Sequence, residues 1–269
     1  MPKALVNGLP LYYEVSGSGP PLTLIMGLGC SARQWQWLMP LLTPSFQVTV
    51  FDNRDVGRSG RATAQYTTDQ FADDTAALLD ALQIKRSHIF GISVGGMIAQ
   101  KVALRHPALV DRMVLGCTMP SFFHHAPADD DLERLQQTQV LPPAESAAAV
   151  MELFFTDTFR SDNPEQCQQI KHMMMLEKTE QGPEAFMRQL GAAMAHDTVQ
   201  EVKNISATTL ILSGDRDPMA PVENSRFLAE QIANSTLVEL PGIRHGFWIE
   251  RAKEAAAIIT RFFEEKETN

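Results

Sequence analysis

The sequence predicts an α/β fold: a mostly parallel, eight-stranded sheet covered by helices on both faces. Three observations predict it. Short apolar runs alternate with amphipathic stretches of helical period, one such run turns on glycines directly into a helix, and one long internal stretch shows no strand pattern at all.

In chain order, Lys3 to Val6 and Leu11 to Val15 flank Asn7-Gly8 and read as an opening hairpin. Leu22 to Met26 and Gln47 to Phe51 are short apolar strands, ending at Gly27 and Asp52. Thr68 to Leu82 carries Phe71, Ala72, Thr75, Leu78, Leu79 and Leu82 on one helical face. His88 to Ile92 is a strand and Gly95 to Arg105 a helix that stops near His106-Pro107. Arg112 to Cys117, Thr209 to Ser213 and Thr236 to Leu240 read as buried strands, and Arg251 to Phe263 as a closing amphipathic helix. The acidic Glu264-Glu265-Lys266-Glu267 reads as that helix's frayed end.

From Met119 to Asp197 the alternation fails, and helical pieces are broken by Pro127, Pro142-Pro143, Pro164 and Gly182-Pro183. The chain therefore divides into a core of residues 1–118 and 198–269 and a helical cap of residues 119–197. Seven cap methionines (Met119, Met151, Met173, Met174, Met175, Met187 and Met194) suit an adaptable apolar wall.

Composition narrows the function. A net charge of −9 argues against a nucleic-acid partner, which needs a positive field. The N-terminus has no apolar leader segment and no run is long enough to span a membrane, so neither secretion nor a membrane partner is expected. Cys30, Cys117 and Cys167 are odd in number and far apart, which predicts free thiols in a cytoplasmic, reducing setting. No metal and no organic cofactor is expected; the adjacent His124-His125 lacks ligand spacing.

The chemistry centres on Gly91-Ile92-Ser93-Val94-Gly95, a glycine-framed turn that pushes one hydroxyl outward. A serine needs a base. Of seven histidines, His245 lies in Pro241-Gly242-Ile243-Arg244-His245-Gly246-Phe247, the loop after the last strand, at the same sheet edge as the serine. His88 precedes the serine too closely, His106 ends a helix, and His124, His125, His172 and His196 fall in the cap. The acid should follow another strand. In Gly214-Asp215-Arg216-Asp217, Asp215 is expected to brace the turn and Asp217 to reach the imidazole. Two backbone donors for an oxyanion are expected at Val94 and, in the loop Gly27-Leu28-Gly29-Cys30, at Leu28. Trp35, Phe122, Phe154, Met175 and Phe247 are candidates for lining an apolar substrate pocket.

These motifs, with Phe51-Asp52-Asn53-Arg54-Asp55-Val56-Gly57-Arg58-Ser59 and His245-Gly246-Phe247, resemble the α/β-hydrolase-fold serine hydrolases of the compact kind. That group includes 3-oxoadipate enol-lactonases, small carboxylesterases and acyl-homoserine lactonases. The chain order Ser93, Asp217, His245 is that family's order. The sequence departs from the family pattern twice: Met26 stands where His is usual, and Asp55 where Gly is usual. Asp52 and Arg54 are expected to pair and hold loops together. The resemblance implies a cofactor-free hydrolase of small, largely apolar esters or lactones working through an acyl-enzyme. A serine at the turn sets it apart from the dehalogenases and epoxide hydrolases of this fold, which resemble enzymes with Asp there. Within the resemblance an acyl-homoserine lactonase, an enol-lactonase and a perhydrolase remain open, as does a receptor that keeps the triad but turns over poorly.

Overall fold

A computed structural model describes residues 2–265. Its eight strands are β1 (Lys3–Val6), β2 (Leu9–Ser16), β3 (Pro21–Ile25), β4 (Gln47–Phe51), β5 (Ser87–Ile92), β6 (Val110–Gly116), β7 (Thr208–Gly214) and β8 (Ser235–Leu240). They form one sheet in the order β1-β2-β4-β3-β5-β6-β7-β8. Only the opening hairpin and the β2–β4 pairing are antiparallel. The hairpin turns on Asn7 and Gly8, both at positive φ (46° and 81°), which matches the twist of its strands.

The helices of the core are α1 (Met39–Leu42), α2 (Thr68–Ala81) and α3 (Val94–Arg105) before the insertion. The insertion itself holds α4 (Asp129–Val140), α5 (Pro143–Phe154), α6 (Asp157–Asp162), α7 (Pro164–Gln181) and α8 (Pro183–Met194). The core resumes with α9 (Val222–Gln231), α10 (Phe247–Glu250) and α11 (Ala252–Glu264). Successive side chains of a strand point to opposite faces, and here both faces are buried. Phe90 and Ile92 of β5 pack in one apolar cluster with Trp35, Phe46, Phe247 and the inner face of α11. Ile89 packs in the other, beneath α2, α3 and α9. This two-sided burial is why the strands read as unbroken apolar runs.

Pro143, Pro164 and Pro183 each stand in the first turn of their helices, where a missing N–H costs nothing, so these prolines start helices as well as separating them. The ends of the insertion meet at a bridge between Ser121 and Asp197, reinforced by the Thr198 N–H donating to Pro120 O at 2.8 Å. Lys266 and Glu267, expected at the frayed end of the last helix, lie outside the described residues. Among the described residues no helix is long and apolar enough to cross a membrane.

Candidate active site

Ser93 stands between β5 and α3 with φ 57° and ψ −123°, a left-handed backbone that costs a non-glycine residue roughly 1–3 kcal/mol. Its neighbours explain why glycine is required around it. A Cβ on Gly91 would lie 2.1 Å from Gly95 O, and one on Gly95 would lie 2.1 Å from Ile25 O. The bent backbone is held by two hydrogen bonds: the Ser93 N–H donates to Gly116 O (2.9 Å) and the Thr118 hydroxyl donates to Ser93 O (2.7 Å).

The loops after β7 and β8 cross so closely that a Cβ on Gly214 would lie 2.2 Å from Ile243 O. Asp215 fastens this crossing: its N–H donates to Leu240 O (3.1 Å) and its carboxylate accepts the Gly242 N–H at 2.6 Å. Asp217 is thereby free to face the imidazole. Its Oδ1 accepts the N–H groups of Met219 (2.8 Å) and Ala220 (3.0 Å), and its Oδ2 lies 2.8 Å from His245 Nδ1. A carboxylate acceptor fixes the proton on Nδ1 and leaves Nε2 with a lone pair. The pair is buried, at 3% and 0% side-chain exposure. Burial alone would push the imidazole down, but the adjoining Asp217 charge and its hydrogen bond hold it well above the usual 6.5. The Phe154 ring, at the end of α5, packs edge-on against His245 with centroids 4.7 Å apart.

Cys117, the residue after β6, was not anticipated. It has φ 37°, is fully buried, and sets its sulfur against both the His245 ring and the Ser93 backbone N–H. Cys117 thus neighbours both the Ser93 backbone and the His245 ring. Atoms of Cys117, Asp217 and His245 lie within 4.8 Å of one another, a donor set with metal-ligand chemistry. Here Asp217 and His245 spend their facing atoms on each other, and burial pushes the Cys117 thiol up, which keeps the sulfur beside them neutral.

The loop after β3 can be accounted for amide by amide. Gly29 N–H donates to Gln189 Oε1 of α8 (2.9 Å), Cys30 N–H to Gly27 O (3.3 Å), Ser31 N–H to Glu177 Oε1 of α7 (2.8 Å), and Ala32 N–H to Asp52 Oδ1 (2.7 Å). Among the described residues the Leu28 N–H has no acceptor. Val94 opens α3, so its N–H has no partner within the helix either. Gly27 leaves little room beside the serine: a Cβ there would be 3.1 Å from Ser93 Cβ.

The structure redistributes the predicted pocket residues. Trp35 and Phe247 are fully buried in the core, Trp35 tilted against Phe90 at 5.3 Å. Hydrophobicity announced their burial without saying which space they fill. Phe154 does touch the site, through His245. Phe122 is partly buried against the α3 side of the core, and Met175 is half-buried on α7. The methionine wall divides too, for Met151 and Met173 pack into the core while Met187 and Met194 are exposed. The expected Asp52–Arg54 pair is replaced by two others. Asp52 binds Arg58 (2.8 Å), and Arg54 binds Asp74 of α2 (2.6 Å), because the tight turn sends the two side chains opposite ways. Asp55 keeps the left-handed backbone of the glycine it replaces, with φ 68°. Its carboxylate accepts from Ala62 N–H, the Tyr66 hydroxyl and, bidentate at 2.8 and 2.9 Å, Arg188 of α8. Three of the other histidines have partners elsewhere: His88 stacks on Phe263, His106 meets Asp73 (2.7 Å), and His196, pushed down to about 3 by burial, meets the Thr68 hydroxyl (3.0 Å).

Comparison with known proteins supplies the context. Residues 20–252 match the family model described as the alpha/beta hydrolase fold. The chain is 29% identical, over 97% of its own length and 98% of the relative's, to the "Putative carbamate hydrolase RutD" of Caulobacter sp. (strain K31). It is also 29% identical to 3-oxoadipate enol-lactonase 2 of Acinetobacter baylyi, covering 81% of this chain and 79% of that one. Among solved structures, the enol-lactonase of Burkholderia xenovorans LB400 superposes with a TM-score of 0.87 at 27% identity, covering 98% of this chain and all of that one.

Proposed function

The chain belongs to the α/β-hydrolase fold family and is a hydrolase, and from that premise we propose that it cleaves carboxylic esters or lactones of small, largely apolar acyl substrates with Ser93, His245 and Asp217. The observation that carries this reading is the buried 2.8 Å contact between His245 Nδ1 and Asp217 Oδ2, set beside a serine held in a left-handed turn. In the reaction His245 Nε2 takes the Ser93 proton as the serine oxygen attacks the carbonyl. The resulting oxyanion is held by the N–H groups of Leu28 and Val94, where each donor stabilises it by roughly 3–4 kcal/mol. The imidazolium, stabilised by Asp217, returns its proton to the departing alcohol oxygen. A water activated by the same imidazole then splits the acyl-serine and releases the acid.

Residues 119–197 serve as the cap over this site and residues 1–118 with 198–269 as its catalytic core. Phe154, at the histidine, gives the pocket an apolar wall. Arg33, a cation that could have welcomed a charged acid, is already bound to Glu180 at 2.7 Å. The three free cysteines suit work in the cytoplasm. Lactone cleavage is favoured within the ester class by the resemblance to enol-lactonases in both sequence and structure. Carbamates are the second reading, since the RutD relative spans nearly the whole chain.

The test is turnover of p-nitrophenyl butyrate, simple lactones and aryl carbamates by the native protein and by Ser93→Ala. The expected loss in kcat is on the order of 10³–10⁶. Turnover by Ser93→Ala close to the native rate would end the assignment.

A further inference from the structure

Two of the amides in the loop after β3, those of Gly29 and Ser31, are anchored by the cap. Glu177 of α7 is buried at 3% exposure although it carries a carboxylate. Its Oε1 accepts both the N–H (2.8 Å) and the hydroxyl (2.6 Å) of Ser31, and its Oε2 accepts the side-chain amide of Gln34 (2.7 Å). Gln189 of α8 accepts the Gly29 N–H and donates in turn to Arg54 O (3.1 Å), while Gln181 steadies it at 3.0 Å. Both anchors thus grip alternate amides of one short loop, on either side of Cys30 and immediately after Leu28. Among the described residues no cation pairs with it, and a buried carboxylate without one is costly to retain. Here it collects three donors, none of them on the core's own strands.

We propose that Glu177 and Gln189 are positioning residues for the oxyanion hole: seated on the loop, the cap aims the Leu28 N–H at the developing oxyanion, so that cap seating and assembly of the hole are one event. The inference rests on the serine-hydrolase reading given above and deepens it. A donor that stabilises a transition state must sit within a few tenths of an ångström of the oxyanion, and a short loop held only at its ends does not fix the amides between them so closely. The core holds the loop's two ends, Asn53 donating to Met26 O (3.1 Å) and Asp52 accepting from Ala32 N–H (2.7 Å), and between them the cap supplies the side chains that hold Gly29 and Ser31.

The experiment compares Glu177→Ala, Glu177→Gln and Gln189→Ala with the native protein. It measures kcat and KM for p-nitrophenyl butyrate and the inhibition constant of an alkyl trifluoromethyl ketone, whose adduct with Ser93 carries the oxyanion. Folding is checked by cooperative thermal unfolding. Glu177→Ala and Gln189→Ala should each lose tenfold or more in kcat with KM within about threefold. The ketone should weaken by a similar factor, as fits partial loss of a donor whose full loss costs about 10²–10³. Glu177→Gln, which can still accept from Ser31, should recover most of that loss. Folded alanine variants with native kcat, or with a raised KM and unchanged ketone affinity, overturn the proposal. If Glu177→Ala does not fold, Gln189→Ala decides by the same criteria. Ser93→Ala run alongside keeps the two ideas apart. Activity in that variant sinks the hydrolase reading, whereas an inactive Ser93→Ala beside indifferent cap variants sinks only the positioning role.

Discussion

The sheet and the cap approach the same few atoms by opposite means. On the sheet side the serine, the acid and the imidazole hang from strand ends whose backbones pass so near one another that only glycine fits at Gly91, Gly95 and Gly214. On the cap side α7 and α8 arrive through polar side chains: Glu177 on Ser31, Gln189 on Gly29, Glu180 on Arg33 and Arg188 on Asp55. Backbone crossings tolerate almost no displacement. A side-chain network can shift with its rotamers, but it is costly when a buried member loses its partner. The positions of Ser93, Asp217 and His245 therefore rest on the first kind of contact, and the seating of the loop after β3 on the second.

The sharpest way to break this comparison is at the acid. Asp217→Asn should lower kcat by roughly 10²–10⁴, since an amide no longer fixes the imidazole tautomer, while Asp215→Asn, a change in a turn brace, should stay within about threefold. Equal losses would mean the two aspartates are not divided as their contacts imply. The pH profile adds a sign. The base must be neutral and Asp217 holds it above 6.5, so kcat/KM should fall on the acid side with a midpoint above 6.5. In Asp217→Asn that midpoint should move down.

Within the cap wall the ion pairs should differ in weight. Asp55 is fully buried beneath Arg188, whereas Arg33 and Glu180 are each more than a quarter exposed. Arg188→Ala should cost roughly 3 kcal/mol in urea denaturation because it strands a buried charge, and Arg33→Ala less than about 1 kcal/mol. Similar costs would show that burial does not rank these contacts. Glu177 gives a test that depends on pH. Burial, only partly offset by its hydrogen bonds, raises its carboxyl to about 7 from 4.5. A raised folded value means stability that is fully present below about 4.5 and lost as pH climbs through about 7, up to about 3 kcal/mol. Glutamine cannot titrate, so the stability gap between native protein and Glu177→Gln should shrink as the pH rises from 4.5 to 8. A constant gap would show that Glu177 keeps one protonation state throughout.

The sheet wall was legible in the sequence because its constraints are local. A strand buried on both faces must be continuously apolar, and a turn that forbids Cβ atoms must spell out glycine, as at Gly91 and Gly95. The cap wall was not. Glu177, Glu180 and Gln181 recur at helical spacing, followed by Arg188 and Gln189 beyond the break at Gly182-Pro183. Such a polar stripe has the period of a water-facing surface, and only the tertiary fold shows that it faces the core. The same blindness to partners misassigned Arg54, whose carboxylate lies 20 residues away on α2. Cys117 carried no local signal beyond its place after a strand.

The bridge between Ser121 and Asp197 has a consequence for how such a protein can change. Because the segment's two ends are pinned side by side, the sheet does not register how much polypeptide runs between them, and doubling a loop's length adds only about 0.6 kcal/mol of closure entropy. The whole span is a cassette: it can be exchanged, lengthened or trimmed to suit a new guest molecule, provided its replacement still offers two acceptors to the strand-end loop below.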